Sequence, residues 1–587
     1  MEKPNRKYKR LLDGKRKLFF GQGKLESLCD MLQRMDRYYR GRDCIVEKVG
    51  KSTVTHTVDD FFSDVLCAAA FLNSLGFQKK HAAIVGENSY NWLVAFFAVS
   101  CLGAVAVPVD RELTDSEIAK LCKKADCSAV FFSRTYKNAA LECKTDESFL
   151  SVCLNGENCG ESISLGNLIF EGGKLLESVK EKESILRAKP GDAAAIVFTS
   201  GTTGENKGVV LTHRNFASNV DAALGVIEHV YSAMSVLPMN HTYELSCCVF
   251  SALCLNAVLY INDSLRHFQK NLLEFKPEGM AAVPLLMDDI YEQIIKSADA
   301  AGKLKKLMGV AKLSRMLLKA GIDIRKLLFS SIRKSFGYRF PMMAVGGAPV
   351  NGERARFLSA LGFNIYIGYG LTEASPLVAI NADVIRNCES VGKCVSCTEC
   401  RILSPDADGV GELAIRGSNI AGGYYNDDKA TALSFRDGWF LTGDYGRTDK
   451  KGNIYISGRK KNLIILDNGK NIYTEVLEAY FTENCPFIRE AVVLEHTRRV
   501  NGETVKLLAL AVSIKEGFFE NESDDIMHER VFQEINLLNV KLPAYKRISD
   551  VMAVRHEFEK TSTMKIIRKN VEEEYKKYTD LRDKSHA

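Results

Sequence analysis

Seven short apolar runs recur along the first 350 residues: AAIVG (82–86), AVAVPV (104–109), SAVFF (128–132), AAAIVFT (193–199), AVLYI (257–261), MAAVP (280–284) and FPMMAVGG (340–347). Stretches of helical period lie between them, as in VDDFFSDVLCAAAFLNSLG (58–76) and DSEIAKLCKKA (115–125). A continuous apolar run fits a strand buried on both faces. Helices between such strands provide the crossovers that parallel pairing requires. The pattern predicts an α/β architecture with mostly parallel sheet. After about residue 385 it changes to short strands with Gly- and Asp-rich turns (GVGELAIRG, DGWFLTGDYG, DKKGNIYISG), which predicts a smaller antiparallel unit. From Gly458 a compact α+β pattern begins.

The 587 residues suffice for roughly two to four domains. With 46% apolar and 26% charged residues the composition is that of a globular protein rather than a disordered or multi-span one. Net charge is only +6, 79 basic against 73 acidic side chains, so no nucleic acid partner is expected. Trp92 to Val109 is uncharged for 18 residues, a marginal membrane-span length. Gly103 divides it, and it reads as a buried helix followed by a buried strand closed by Pro108. Met1 to Lys17 is basic and lacks the apolar run of a signal peptide. The seventeen cysteines are scattered, and reduced thiols in a cytoplasmic protein are expected. Cys394, Cys397 and Cys400, with Cys388 upstream, have a spacing found in zinc and iron–sulfur sites. No Cys or His pair follows at finger spacing, and on a strand this spacing sends neighbouring thiols to opposite faces, so a strand-rich stretch is expected there.

The most informative segment is AAAIVFTSGTTGENKGVVLTHRNF (193–216). A buried strand runs into Thr199, Ser200, Gly201, Thr202, Thr203 and Gly204, with Lys207 just beyond. Glycines let backbone N–H groups approach an anion, hydroxyls add donors without bulk, and the lysine adds positive charge. No Gly-Lys-Ser/Thr follows at Walker A spacing. TSGTTGENKG resembles the signature loop of the adenylate-forming acid–thiol ligases (acyl-CoA synthetases, peptide-synthetase adenylation domains and luciferases), with Asn206 where that loop usually has Pro.

Further segments follow in that family's order. Gly346-Gly347-Ala348-Pro349 resembles its adenine-side loop, and Tyr369-Gly370-Leu371-Thr372-Glu373 its adenine-stacking, phosphate and magnesium-linked motif. Leu441-Thr442-Gly443-Asp444 resembles the ribose-binding motif, and Gly458-Arg459-Lys460-Lys461 the hinge motif. Lys560-Thr561-Ser562-Thr563-Met564-Lys565 resembles the catalytic lysine motif, with Met564 in place of the usual Gly. Each motif is weak alone; their order along the chain is not.

The resemblance implies a large N-terminal domain, residues 1–457, of two α/β subdomains and a small β-barrel-like one. A small mobile α+β lid, residues 458–587, would follow it. It implies ATP, Mg²⁺ and coenzyme A. Carboxylate attack on the α-phosphorus of ATP brings two anions together, so the catalytic need is positioning and charge neutralisation. Mg²⁺ would be held through Thr199 and Glu373, and the 199–207 loop with Lys207 would cradle the departing pyrophosphate. Asp444 would hold the ribose hydroxyls with Arg459 nearby, and Lys565 would stabilise charge at the α-phosphate. For the thiol step the lid would turn about Lys461, bringing Gly469 against the pantetheine.

Leu237 to Glu244 resembles the P-x-x-H-x-x-E form of long-chain fatty acyl-CoA synthetases, with His241 beside the carboxylate. A helical insertion at roughly 286–338 is a second such feature, although Leu285 replaces the usual Arg after Pro284. The resemblance is strongest to bacterial long-chain fatty acid–CoA ligases. Alternatives are an acyl carrier protein as acceptor, or another carboxylic acid activated by the same chemistry. No carrier-domain pattern precedes Ala587, so a peptide-synthetase module is not expected. Residues 296–340 hold 12 Lys/Arg against 2 Asp, and residues 1–17 hold 8 against 2 acids. These segments suit either an anionic membrane surface or an acidic carrier protein; a solvated helical face is the plain alternative.

Overall fold

The computed structural model describes residues 6–156, 159–200, 206–336, 342–467, 470–500, 503–560 and 566–586. Each of the seven apolar runs contains a strand. Four belong to a seven-stranded sheet in the order Ile163–Ser164, Leu150–Cys153, Cys127–Phe132, His81–Val85, Val105–Pro108, Ala193–Ser200, Asn206–Thr212. Only the last pair is antiparallel. The other three belong to a nine-stranded sheet: Lys393–Cys394, Leu377–Asn381, Asn364–Gly370, Met342–Val345, Gly279–Ala282, Ser232–Ser235, Val258–Ile261, Asp43–Val49, Ser52–Thr57. Its central strands are parallel and the pairs at its two edges antiparallel. The run at 280–284 stops as a strand at Ala282 because Pro284 opens the helix Pro284–Ala300, where its missing N–H removes no helical bond.

The uncharged stretch at 92–109 divides where the sequence indicated. Helix Tyr90–Leu102 is buried at every position but Asn91, which accounts for its lack of a polar face. Gly103 caps it at φ 90°, a left-handed conformation that suits glycine, and strand Val105–Pro108 follows. The helix lies in a large core with Phe61, Phe216 and Phe250, whose rings meet Phe96 or Phe97 edge-on or tilted. Among the described residues no helix is long and apolar enough to cross a membrane.

A five-stranded sheet is built on residues 398–459, in the order Thr398–Leu403, Gly411–Gly417, Trp439–Thr448, Phe435–Arg436, with Ile454–Arg459 also paired to Trp439–Thr448. All seventeen cysteines are free. Cys394 and Cys400 share a thiol hydrogen bond, and among the described residues no three His, Cys, Asp or Glu side chains gather as a metal site.

The chain divides into two compact units. The larger comprises Met1–Cys400, Ile415–Leu441 and Lys450–Ile454; the smaller comprises Arg401–Ala414, Thr442–Asp449 and Tyr455–Ala587. In the smaller unit a three-stranded sheet, Ile488–Val500, Glu503–Ile514, Ile548–Val554, has helices on both faces. Val493, Leu508 and Leu510 face helices Thr474–Asn484 and Asp524–Asn539, while Val492, Ala509 and Ala511 face helix Arg568–His586. This alternation is the period-2 pattern of a sheet covered twice. The whole is the mixed α/β architecture expected, with a large N-terminal body and a smaller C-terminal one.

Candidate active site

In the larger unit the family-like segments lie where parallel strands end. Gly346 follows strand Met342–Val345, and Tyr369 and Gly370 close the neighbouring strand Asn364–Gly370, with Val345 opposite Ile367. Ligands of open α/β sheets bind at such carboxyl ends. The two strand ends lie very close: a Cβ on Gly346 would sit 3.0 Å from the Gly368 carbonyl oxygen. At Gly370 a Cβ would come within 2.1 Å of the Pro376 oxygen, so only glycine fits.

Thr199 and Ser200 end the strand Ala193–Ser200, and the chain returns antiparallel, with Thr199 opposite Lys207 and Ser200 opposite Asn206. Gly201, Thr202, Thr203 and Gly204 lie outside the described residues. The returning strand brings Lys207 over the ring of Tyr424, Nζ to centroid 5.0 Å. The Tyr424 hydroxyl donates to Glu373 Oε1 at 2.8 Å. Burial and the Glu373 carboxylate both raise the Tyr424 pKa, which keeps this hydroxyl a donor. Three segments far apart in sequence thus meet as Lys207, Tyr424 and Glu373. Backbone pairing fixes them: Tyr425 N–H donates to the Gly208 carbonyl at 2.7 Å, and Ala421 N–H to the Glu373 carbonyl at 2.8 Å.

Two fully buried amides hold the exit of the 369–373 motif. Asn219, on helix His213–Leu224, donates to the Ala374 and Leu377 carbonyls at 3.1 and 2.8 Å. Asn419 donates to the same pair, both at 3.0 Å. The helix that follows the hairpin of Thr199 and Lys207 is thereby tied to the Glu373 segment.

His241 lies on the turn after strand Ser232–Ser235. Asn88 clamps that turn, donating to the Leu237 carbonyl at 2.7 Å and accepting from Met239 N–H at 3.0 Å. A π-helix, Tyr243–Phe250, follows; such helices are rare and frequent at functional sites. It aims the Tyr243 hydroxyl at the ends of the central strands, 2.6 Å from the Ala344 carbonyl oxygen and 3.3 Å from that of Ala282. Glu244 is fully buried. Ser235, Cys248 and the backbone amides of Val236 and Leu237 surround its carboxyl, but none reaches hydrogen-bonding geometry. Burial pushes its pKa up to about 7.

In the smaller unit, Asp444 is nearly buried and Arg459 Nε lies 3.1 Å from its Oδ1. Thr442 shapes the turn: its hydroxyl accepts from Asp444 N–H at 3.0 Å and donates to the Leu413 carbonyl at 2.8 Å. Lys461 is exposed in the 3-10 turn Lys460–Asn462, and partial desolvation together with Arg459 and Arg568 lowers its pKa. Gly469 and Lys565 lie outside the described residues. Lys560 bridges antiparallel to Ile566, and it pairs with Glu490 and Glu557, both at 2.6 Å.

Sequence reading had no signal for Tyr424, Asn219, Asn419 or Asn88. Tyr424 sits in GGYYN, which reads as turn chemistry, and the asparagines show their partners only once the chain is folded.

The chain matches the AMP-binding enzyme family over residues 32–425 and the AMP-binding enzyme C-terminal domain over residues 461–581. It belongs to the AMP-binding enzyme family, the adenylate-forming enzymes. Long-chain-fatty-acid–CoA ligase FadD15 of Mycobacterium tuberculosis is 26% identical over 480 residues, 77% of this chain and 78% of that one. Long-chain-fatty-acid–CoA ligase 1 of Cavia porcellus is 29% identical over 485 residues, 76% of this chain and 68% of that one. ATP-bound MatB from Rhodopseudomonas palustris shares the fold, with TM-score 0.73 at 21% identity over 93% of this chain and 99% of that one. Within its family the chain is an AMP-forming acid–thiol ligase.

Proposed function

We propose that this ligase activates a fatty acid with ATP to an acyl-adenylate and transfers the acyl group to coenzyme A. The observation that carries the chemistry is the convergence of Lys207, Tyr424 and Glu373, which puts a cation and an oriented carboxylate beside the hairpin that ends in Thr199. Fatty acid as substrate is supported by the names of the long-chain relatives and by the His241 segment. Glu373 and the Thr199 hydroxyl are oxygen donors, a set that fits Mg²⁺. When bound, that ion neutralises phosphate charge.

Lys207 balances charge on the departing pyrophosphate. Asp444 accepts from the ribose hydroxyls, and Arg459, its present partner, orients the carboxylate. Lys565 stabilises the charge that develops at the α-phosphorus. Ordered this way, carboxylate oxygen bonds to phosphorus as pyrophosphate leaves; the thiol sulfur then bonds to the acyl carbon as AMP leaves. The second step needs residues 458–587 to turn about Lys461, with Gly469 giving room to pantetheine.

The acceptor is tested by supplying purified enzyme, ATP and a long-chain acid with either free coenzyme A or a phosphopantetheinylated acyl carrier protein. Acyl-CoA formation is the expected result. Thioester on the carrier protein alone would transfer the reading to an acyl carrier protein synthetase.

A further inference from the structure

The two basic segments differ once folded. In the N-terminal one Arg16 is buried: its guanidinium donates to the Leu255 and Val230 carbonyls and lies 4.5 Å over the Tyr231 ring. That charge is an internal fastening. Helix Leu304–Lys319 in the insertion is of another kind. It has five basic residues and no acid, and it buries only Ala311 and Ser314.

At 100° per residue, Met308, Lys319, Lys312, Lys305 and Met316 share an arc of about 80° turned away from that buried pair. Leu313 and Lys306 continue the arc. Met308, Leu313 and Met316 are 46%, 50% and 61% exposed, and Leu327, beyond the helix, is 79% exposed. Single exposed apolar residues are ordinary, but three large ones among four exposed lysines on one helix face are not. Lysine stems can run along apolar surface with their ammonium groups at headgroup level, while Met and Leu enter below them.

We propose that the Met308–Leu313–Met316 face of this helix docks on an anionic lipid surface, the four lysines meeting the headgroups. Its use for the enzyme rests on the fatty-acid reading, since long-chain acids partition into membranes; its measurement does not. Apolar side chains set at the level of the lysine stems suit a surface whose interior they can enter, and on that ground a lipid surface is preferred to an acidic carrier protein.

The test is flotation of the full chain with vesicles, without ATP or acid, so that its outcome is independent of the substrate. Vesicles of phosphatidylcholine alone are compared with vesicles containing 30% phosphatidylglycerol, about a third of the lipid being anionic. Binding is expected on the anionic vesicles and should weaken as salt is raised. Leu313→Glu/Met316→Glu should reduce it at least about tenfold, and Lys305→Gln/Lys312→Gln by a similar factor. Both variants should retain wild-type Tm and acid-dependent pyrophosphate exchange. Equal binding to both vesicle types, undiminished binding by the Leu313/Met316 variant, or retention by an acidic acyl carrier protein but not by vesicles would each overturn the proposal.

Discussion

Tyr424 joins the two charged groups that carry the adenylation reading. Its ring lies under Lys207, and its hydroxyl, held protonated, donates to Glu373. Tyr424→Phe keeps the ring and removes the donor. A hydrogen bond to a charged group is worth about 1.5–3 kcal/mol, so kcat/KM for ATP should fall roughly tenfold to a hundredfold with little change in Tm. Steady-state kinetics checks this. Glu244 makes a separate prediction about pH. Its carboxyl has an ordinary pKa of 4.5 and is raised to about 7 by burial, so between those values the folded chain holds a proton the unfolded chain has lost. Stability attributable to this group is intact below pH 4.5 and declines as pH rises through 7, by up to about 3 kcal/mol. Glu244→Gln, neutral throughout, should lack that part of the decline. The difference in Tm between variant and wild type should therefore grow in the variant's favour from pH 5 to pH 8, and a constant difference would contradict it.

At the scale of elements, the sequence was most readable where one local signal decided the outcome. The seven apolar runs became strands, and the expected helices 58–76 and 115–125 are Val58–Ser74 and Asp115–Lys124. Gly103 divided the uncharged stretch because a left-handed residue ends a helix. What could not be read is set by long-range meeting. The π-helix Tyr243–Phe250 carries no period distinct from that of an α-helix. Asn219 and Asn419 are ordinary polar residues until they converge on the Ala374 and Leu377 carbonyls. Arg16 looked like part of a basic surface, and its burial depends on carbonyls more than 200 residues away. The motif segments were legible by kind and order, but not the tyrosine that links two of them. Gly370 tests how tightly the elements fit. Alanine there would put a Cβ 2.1 Å from the Pro376 oxygen, which is backbone and cannot swing aside. Gly370→Ala should cost about 1–3 kcal/mol in denaturant unfolding and weaken ATP binding by shifting Tyr369 and Glu373.

At the scale of the whole molecule, the residues assigned to the proposed reaction are divided between two compact units. The larger holds the hairpin at Thr199, Lys207, Tyr424 and Glu373; the smaller holds the Asp444–Arg459 pair and, in sequence, Lys565. In the proposed reaction the groups assigned to phosphate and magnesium lie in the larger unit and those assigned to ribose and the α-phosphate in the smaller, so the first step draws on residues of both. In that reading Lys565 acts at the α-phosphorus in the first step only. The most direct measurement is ATP–pyrophosphate exchange with carboxylic acids graded from acetate to long-chain fatty acids, in wild type and in Lys565→Ala. The account predicts exchange that depends on the acid, is greatest with long chains, and is lost in Lys565→Ala while ATP still binds. Exchange stimulated by no acid or best by acetate, or normal exchange in the lysine variant, would contradict it.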